Sequence, residues 1–427
     1  MINKGKIFDK MIILFLFVFF INIGCVSATN FTADEIGNAS TSVQTYVEAN
    51  HKLPNNVTIS GTTVTMPQFL KLETTAIYNI KNNITTDITL ENYNTAPNPS
   101  ETATNGQLTQ SNYITLANNV KSFMNENGRA PNFQTTSLGN IRYESLVYTF
   151  SQVMNSYRVG KVLPDFIIIR PWTFVTNDTT KFITMNQINV AADTVQSYVE
   201  TKHQLPNHVT ISKYTVSMPS LLRLEAQYIK NGNGKLYQSI PLGRYGTAPN
   251  PYESITGGNL EKTDYLNTTT DIISFMNDNG RAPNGITTIR GTLRYESLVF
   301  TYSEIINSAS EKLILPNYIR LTPWSTVSNT NTVFINMDQI NTAASTVKLH
   351  IETNHTLPSY VNISGRQISM PNFLKLEILS IQNIYEGLHQ SIILQNYNTA
   401  PNPSESMTGR KLNYLNYMNA AENIRSF

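Results

Sequence analysis

Three histidines, His51, His203 and His355, stand 152 residues apart, and a histidine repeated in this way is the first place to look for acid–base or metal chemistry. Glycine fills the same place in the intervening copies, at Gly128 and Gly280, and no partner histidine repeats alongside all three. The position therefore reads as the left-handed residue that ends a helix, which glycine adopts freely and histidine tolerates. Repeated carboxylates come next. Glu101 recurs within TAPNPSE, and Glu144 and Glu296 within RYES, but glycoside hydrolysis needs two carboxylates in one cleft and these strings single out no such pair. HExxH, GxSxG and glycine-rich phosphate loops are absent from the sequence. No catalytic residue, metal ligand or cofactor is assigned, and the chain reads as non-enzymatic.

The recurring residues suited to contact with a ligand are aromatic. Trp172, Trp324, Tyr93, Tyr245 and Tyr397 close successive stretches of the chain. Exposed, such rings stack on the apolar faces of sugars; buried, they plug the joints between neighbouring modules. The sequence leaves both readings open. Arg129 and Arg281 lie in a turn where they either pair with peptide carboxylates or stay solvated. Glu144 and Glu296 either meet a ligand or serve as charged caps in a first helical turn, and Tyr143 aligns with the apolar Met66, Met218 and Met370.

The elements that position these residues follow from the repeat. TAPNPSE at Thr95 returns as TAPNPYE at Thr247 and as TAPNPSE at Thr399; NGRAPN at Asn127 recurs at Asn279 and RYESLV at Arg142 recurs at Arg294. A shorter period lies inside. Val43, Val120, Val195, Ile272 and Val347 are each followed eleven residues later by a proline, so the longer period is a pair of related modules of about 76 residues. After a leader at 1–28, A-type modules span 30–111, 181–263 and 333–411, B-type modules span 112–180 and 264–332, and 412–427 begins a further B module. Capping boxes at Thr32/Glu35, Thr184/Gln187 and Asn336/Gln339 open a helix whose apolar face carries Ile36, Val43 and Val47 or, later, Ile340, Val347 and Ile351. Val57 to Ser60 and Thr63 to Thr65 flank a glycine turn and read as a hairpin. Thr65, Ser217 and Ser369 cap a second helix with Pro67, Pro219 and Pro371 in its first turn, and a β-rich stretch such as FIIIRPW or DITLENY ends the module. The expected fold is an α+β tandem repeat array, predominantly helical, in which each module runs helix, short hairpin, helix, strand.

Charge is sparse. Charged residues make up 14%, against roughly 25% in ordinary soluble proteins, and the net charge is +2. Lys4, Lys6, Lys10 and Asp9 account for that +2, so the rest of the chain is neutral and offers no electrostatic footprint for nucleic acid. The same residues precede an apolar run from Met11 to Ile23 and a Val26-Ser27-Ala28 cleavage site; the run is short of the roughly 20 residues of a membrane span and reads as a secretion signal. Membrane contact is expected only through that signal. Cys25 is the only cysteine and falls inside it, so the exported chain has no disulfide. Eight glycosylation sequons, at Asn30, Asn38, Asn56, Asn83, Asn177, Asn267, Asn354 and Asn362, are compatible with a glycosylated surface protein. LNYMNAAENIRSF, at the end, matches the first helix of a B module without its MNENGRAPN continuation, and reads as a fragment of a longer chain.

The strings VQTYVEANHKLPNNVTISGTTVTMPQFLKLE from Val43 and VKLHIETNHTLPSYVNISGRQISMPNFLKLE from Val347 resemble the pseudomurein-binding repeat of methanogenic archaea. That pattern is an amphipathic helix, a Leu-Pro turn, a V-S/T-I-S-G-like strand, then S-M-x-x-F-L and a second helix. The B modules are similar to a variant form that alternates with it, so the resemblance extends over nearly all of the chain after residue 28. It implies an adhesin-like extracellular protein held non-covalently on the glycan and peptide of the pseudomurein wall, where weak sites in tandem gain affinity. Two alternatives stand beside it: the wall-targeting part of a pseudomurein endoisopeptidase whose catalytic domain lies outside this sequence, and a structural, protein-adhesive stalk.

Overall fold

The computed structural model describes residues 29–426 apart from 311, 407, 408 and 410, and the expectations placed on residues 1–28 lie outside it. The chain is α+β. A two-residue strand, β1 (Asn30–Phe31), leads into α1 (Ala33–Asn50), which opens on the expected capping box: the Thr32 hydroxyl accepts the Glu35 N–H at 3.2 Å, and the Glu35 carboxylate accepts the Thr32 N–H at 2.9 Å. The helix ends at His51, whose φ of 55° is left-handed and whose N–H returns to the Val47 carbonyl at 2.8 Å. A hairpin of β2 (Asn56–Ile59) and β3 (Thr62–Thr65) follows, then α2 (Met66–Lys81) with Pro67 in its first turn. β4 (Ile88–Thr89) returns to pair antiparallel with β1, so the two ends of the segment clasp each other.

The same order then repeats as β5 (Gly106–Thr109), α3 (Gln110–Asn127), β6 (Phe133–Thr136), β7 (Gly139–Arg142), α4 (Tyr143–Gly160) and β8 (Phe166–Ile169). β5 pairs with β8, so the B-type segment opens at Gly106 and takes in residues that the sequence boundary at 112 gives to its neighbour. The strand expected to run through FIIIRPW stops at Ile169, and Trp172 instead begins a one-turn helix, α5 (Trp172–Val175). The next series is β9 (Phe182–Ile183), α6 (Met185–Lys202), β10 (His208–Ile211), β11 (Tyr214–Ser217), α7 (Met218–Asn233) and β12 (Ile240–Pro241). It continues with β13 (Gly258–Glu261), α8 (Lys262–Asn279), β14 (Gly285–Thr288), β15 (Gly291–Arg294), α9 (Tyr295–Ser308), β16 (Tyr318–Leu321) and α10 (Trp324–Val327). Last come β17 (Phe334–Ile335), α11 (Met337–Asn354), β18 (Tyr360–Ile363), β19 (Arg366–Ser369), α12 (Met370–Glu386), β20 (Ile392–Ile393) and α13 (Tyr414–Ser426). No helix among the described residues is long and apolar enough to cross a membrane.

Neither half of a 152-residue period closes a core alone. α1 packs on α4, and α2 packs on both α3 and α4, so one core draws on residues from Phe31 to Val175. A second core runs from Ile183 to Val327, with α6 on α9 and α7 on α8 and α9. The apolar stripe of α1, Ile36, Val43 and Val47, is buried, at roughly 1.5–3 kcal/mol for each side chain. Gly37 marks the closest approach: a Cβ there would stand 3.1 Å from Arg158 Cβ and 3.2 Å from the Met154 carbonyl. A third core, from Ile335 to Ile392, is smaller. There Ile351, expected on the buried face, is 39% exposed, whereas its counterparts Val47 and Val199 are buried. In the first two cores α4 and α9 pack along α1 and α6, and α5 and α10 close their ends through His51 and His203; neither kind of helix lies over α11 among the described residues.

Successive cores are joined through one buried polar loop. Leu236 inserts into the first core; Tyr237 N–H donates to Ser156 Oγ at 2.9 Å and Gln238 Nε2 to Gln152 Oε1 at 2.7 Å, while the Ser239 carbonyl accepts from Arg170 at 2.9 Å. At the next joint Leu388 enters the second core, His389 N–H donates to Ser308 Oγ at 2.9 Å, and Gln390 Nε2 donates to the Arg320 carbonyl at 2.9 Å.

Glu73 and Glu225, both 0% exposed, place their carboxylates inside the first and second cores. Glu73 Oε1 accepts from Ser151 at 2.7 Å, and Glu225 Oε1 from Ser303 at 2.7 Å. The Ser40 hydroxyl stands 2.9 Å from the Ile36 carbonyl and 3.0 Å from Glu73; having one proton, it satisfies both contacts when Glu73 is itself protonated and donates to it. Burial pushes both carboxyls well above the usual range. The folded state thus keeps protons that the unfolded chain releases at ordinary carboxylate pH, so stability is greatest in acid and falls as pH rises toward the folded-state values. Urea midpoints measured from pH 5 to pH 8 should decline, and the double variant Glu73→Gln, Glu225→Gln should flatten that decline; an unchanged slope contradicts the assignment.

Candidate functional site

The repeated loop motifs meet on the α2–α3 side of the first core. Asn127 bonds back to the Phe123 carbonyl at 2.8 Å and Gly128 takes the left-handed φ of 64° that ends α3, which turns Arg129 alongside the loop after β4. Asn94 and Arg129 then pair as a parallel bridge, with the Asn94 N–H on the Gly128 carbonyl at 3.0 Å and the Ala130 N–H on the Asn94 carbonyl at 2.8 Å. Asn132 holds the TAPNP segment through the Asn98 N–H at 3.0 Å. Gly246, Gly280, Arg281 and Asn284 reproduce the arrangement in the second core, at 2.8–3.1 Å.

This pairing sets the main chain of Tyr93 and Tyr245 one residue from the bridges to Arg129 and Arg281. The Tyr93 ring is half-buried; its hydroxyl bonds Glu91 at 2.5 Å and reaches Asn125 at 3.4 Å, and Lys71 Nζ lies 5.3 Å from the ring centre. Burial, reinforced by Glu91, raises the Tyr93 phenol well above its ordinary range, so it remains a hydrogen-bond donor. Lys71 also bonds Asn125, and burial lowers its ammonium pKa against the opposing pull of Glu91. In the second core Arg223 takes the place of Lys71 and donates to Asn277 at 3.3 Å. In the third, Lys375 lies 5.4 Å from the ring of Tyr397, whose hydroxyl donates to Gln395 at 2.6 Å. Arg129 and Arg281 each hold their guanidinium 5.0 Å from a phenylalanine ring, Phe123 or Phe275, and donate to the next carbonyl at 3.0 and 2.9 Å. Each of the three tyrosines is thus edged by a cation, with Asn125 or Asn277 on that cation in the first two and Gln395 on the hydroxyl in the third, groups suited to sugars or polar peptides.

The other expected site residues lie elsewhere. Trp172 and Trp324 are each only 8% exposed and belong to the first and second cores, so neither offers a face for stacking. The repeated carboxylate of TAPNPSE fixes them: Glu101 accepts the Trp172 N–H at 2.6 Å and the Ser145 hydroxyl at 2.6 Å, while Glu253 accepts the Trp324 N–H at 2.7 Å and bonds Ser297. Glu144 and Glu296 sit in first helical turns, each in a two-point pair with Arg142 or Arg294 at 2.7–3.1 Å, and Tyr143 is buried as its alignment with Met66 implies. His51 and His203 are left-handed caps as expected, and their Nδ1 atoms also reach the Val175 and Val327 carbonyls at 2.9 Å, tying α1 to α5 and α6 to α10. All eight sequon asparagines are exposed.

Lys71, Arg223, Lys375, Asn125 and Asn277 are not among the residues that the loop motifs single out. Their signal was present, since a cation recurs at 152-residue spacing in the second helix. Comparison with protein-family models, with curated proteins and with solved structures returned no match for this chain.

Removing a buried tryptophan should cost structure. Trp172→Ala is expected to destabilise the first core by about 3–5 kcal/mol, read by denaturant unfolding, whereas Tyr397→Ala at the exposed counterpart should change stability by about 1 kcal/mol or less.

Proposed function

We propose that this chain is an exported, non-catalytic surface protein whose tandem array of related modules binds the pseudomurein wall. The observation that carries this reading is the tyrosine edged by a cation, found at Tyr93 with Lys71, Tyr245 with Arg223 and Tyr397 with Lys375, the first two next to main-chain bridges to Arg129 and Arg281. A ring with one face available binds the apolar side of a sugar, and neighbouring guanidinium and amide groups suit its hydroxyls or the carboxylates of a wall peptide. Three weak sites on one chain gain affinity for a repetitive, insoluble polymer through effective concentration. The sparse charge and the exposed sequons agree with life at a cell surface. The repeated carboxylates are already engaged by Ser145, Arg142 and their counterparts, which favours binding over turnover.

Buried tryptophans and polar joints between cores favour a second reading, a stiff stalk that contacts other proteins. Sedimentation with purified pseudomurein separates the two. The chain should enter the pellet, and the triple variant Tyr93→Ala, Tyr245→Ala, Tyr397→Ala should lose about tenfold or more in apparent affinity with an unchanged circular dichroism spectrum. A chain that stays in the supernatant, or a triple variant that pellets as well as the parent, removes the wall-binding reading; adhesion that persists on cells stripped of wall polymer supports the stalk.

A further inference from the structure

The two joints between cores differ in the acids they bury. At the first, Glu48 of α1 is supported: the Tyr148 hydroxyl and Gln44 Nε2 each donate to its Oε1 at 2.9 Å, and the buried guanidinium of Arg170 lies close enough to favour its charge. Gln152 of α4 completes that joint as a neutral amide, accepting from Gln238 at 2.7 Å. At the second joint each of these groups is exchanged. Phe300 stands where Tyr148 gives a hydroxyl, Thr322 where Arg170 gives a guanidinium, and Glu304 where Gln152 gives an amide, each 152 residues on. One supported carboxylate thus becomes two carboxyls, Glu200 of α6 and Glu304 of α9, without that hydroxyl or that cation.

Both carboxyls face the loop that carries the third core. Glu200 Oε1 accepts from Gln196 at 2.8 Å, and its Oε2 accepts from the Ser391 hydroxyl at 2.8 Å, a bond across the joint. Glu304 is 4% exposed and lies against Gln390, and its Oε2 has no hydrogen-bond partner among the described residues. The charged groups around the pair do not compensate it. Asp193 of α6 repels Glu200, Asp338 of α11 and His389 line the solvent-facing cleft beside it, and Arg320 of β16 turns its guanidinium to Asn383 of α12. Burial raises both carboxyls, Glu304 furthest, and the charge of Glu200 raises Glu304 again. We propose that the second joint is a latch held shut by the proton on Glu304: while it stays, loop 388–391 is docked on the second core, and its loss sets two like charges in one buried site and releases the loop. The docked joint keeps a proton that the released joint gives up at ordinary carboxylate pH. The latch is therefore at full strength below the usual carboxylate range and is lost as pH rises to the value the docked joint imposes. The first joint, with one acid beside Arg170, holds over a wider range. None of this depends on what the array binds.

The test uses the full chain, with Cys25→Ser, and spin labels at exposed positions. Thr270→Cys with Lys348→Cys spans the second joint, and Thr115→Cys with Thr201→Cys spans the first. Double electron–electron resonance should give a narrow distance distribution for both pairs at pH 5. By pH 9 the second pair should broaden and shift to longer distance while the first stays narrow. Glu304→Gln, which restores the amide of the first joint, should keep the second pair narrow over the whole range. The proposal is overturned if the second pair is unchanged from pH 5 to pH 9, if both pairs broaden together, or if Glu304→Gln broadens as the parent does. Loss of the transition in His389→Tyr, which copies Tyr237, would also overturn it by making the imidazole the titrating group.

Discussion

The contact of α1 with α4, repeated by α6 with α9, joins the first helix of one segment to the last helix of the next, and the rest of the architecture answers to it. Each segment is clasped at its ends by a short strand pair, but two helices and a hairpin bury too little apolar surface to stand alone. The partner helix supplies what is missing, and Gly37 lets it come close. That crossing also brings buried polar groups face to face: Ser40 and Ser151 on Glu73, and Asn155 donating to Gln44 at 3.0 Å. Such groups are satisfied in one register only, so they specify the pairing while costing stability.

The same dependence explains why the loop motifs are long and repeated. TAPNPSE must cross from the end of one segment to the turn of the next, and it does so through main-chain bonds to NGRAPN, then delivers a carboxylate to the N-terminus of α5 or α10. Strings that look like a binding signature are thus mostly structural couplings. The tyrosines stand at the point where that coupling begins, on the outer side, where the α2–α3 surface is held in a fixed shape by the bridge between Asn94 and Arg129.

Local chemistry was the legible part of the sequence. Capping boxes at Thr32, Thr184 and Asn336, left-handed caps at His51, His203 and His355, the β2–β3 hairpin and the proline-led second helices all stand where their residues place them, because each depends on neighbours a few positions away. Pairings that span the period were not legible. The β1–β4 clasp involves two residues on each side, too few for an alternating pattern, and the burial of Trp172 depends on Glu101 and on the helix that its own backbone starts. Ile351 shows the limit most clearly, since its helix repeats the pattern of α1 while its burial depends on a separate segment. Among the site residues, Tyr93 and Tyr245 adjoin the main-chain bridges to Arg129 and Arg281, whereas Trp172, Trp324, Glu144 and Glu296 are taken up by packing and capping.

Spacing links the joints between cores to the proposed activity. Tyr93, Tyr245 and Tyr397 lie in successive sets whose relative placement is set by Leu236, Gln238 and Ser239 at one joint and Leu388, Gln390 and Ser391 at the next, all buried or hydrogen-bonded across the joint. A flexible linker would let three weak sites search a wide volume, and its gain in effective concentration would fall with linker length. Buried joints do the opposite: they hold the sites at one separation, so affinity is high for a ligand whose repeat matches it and lost for one whose repeat does not. On the proposed reading, the polar joint loop is therefore a determinant of specificity although it lies away from the tyrosines, and loosening it should reduce binding to the polymer more than binding to a single short fragment.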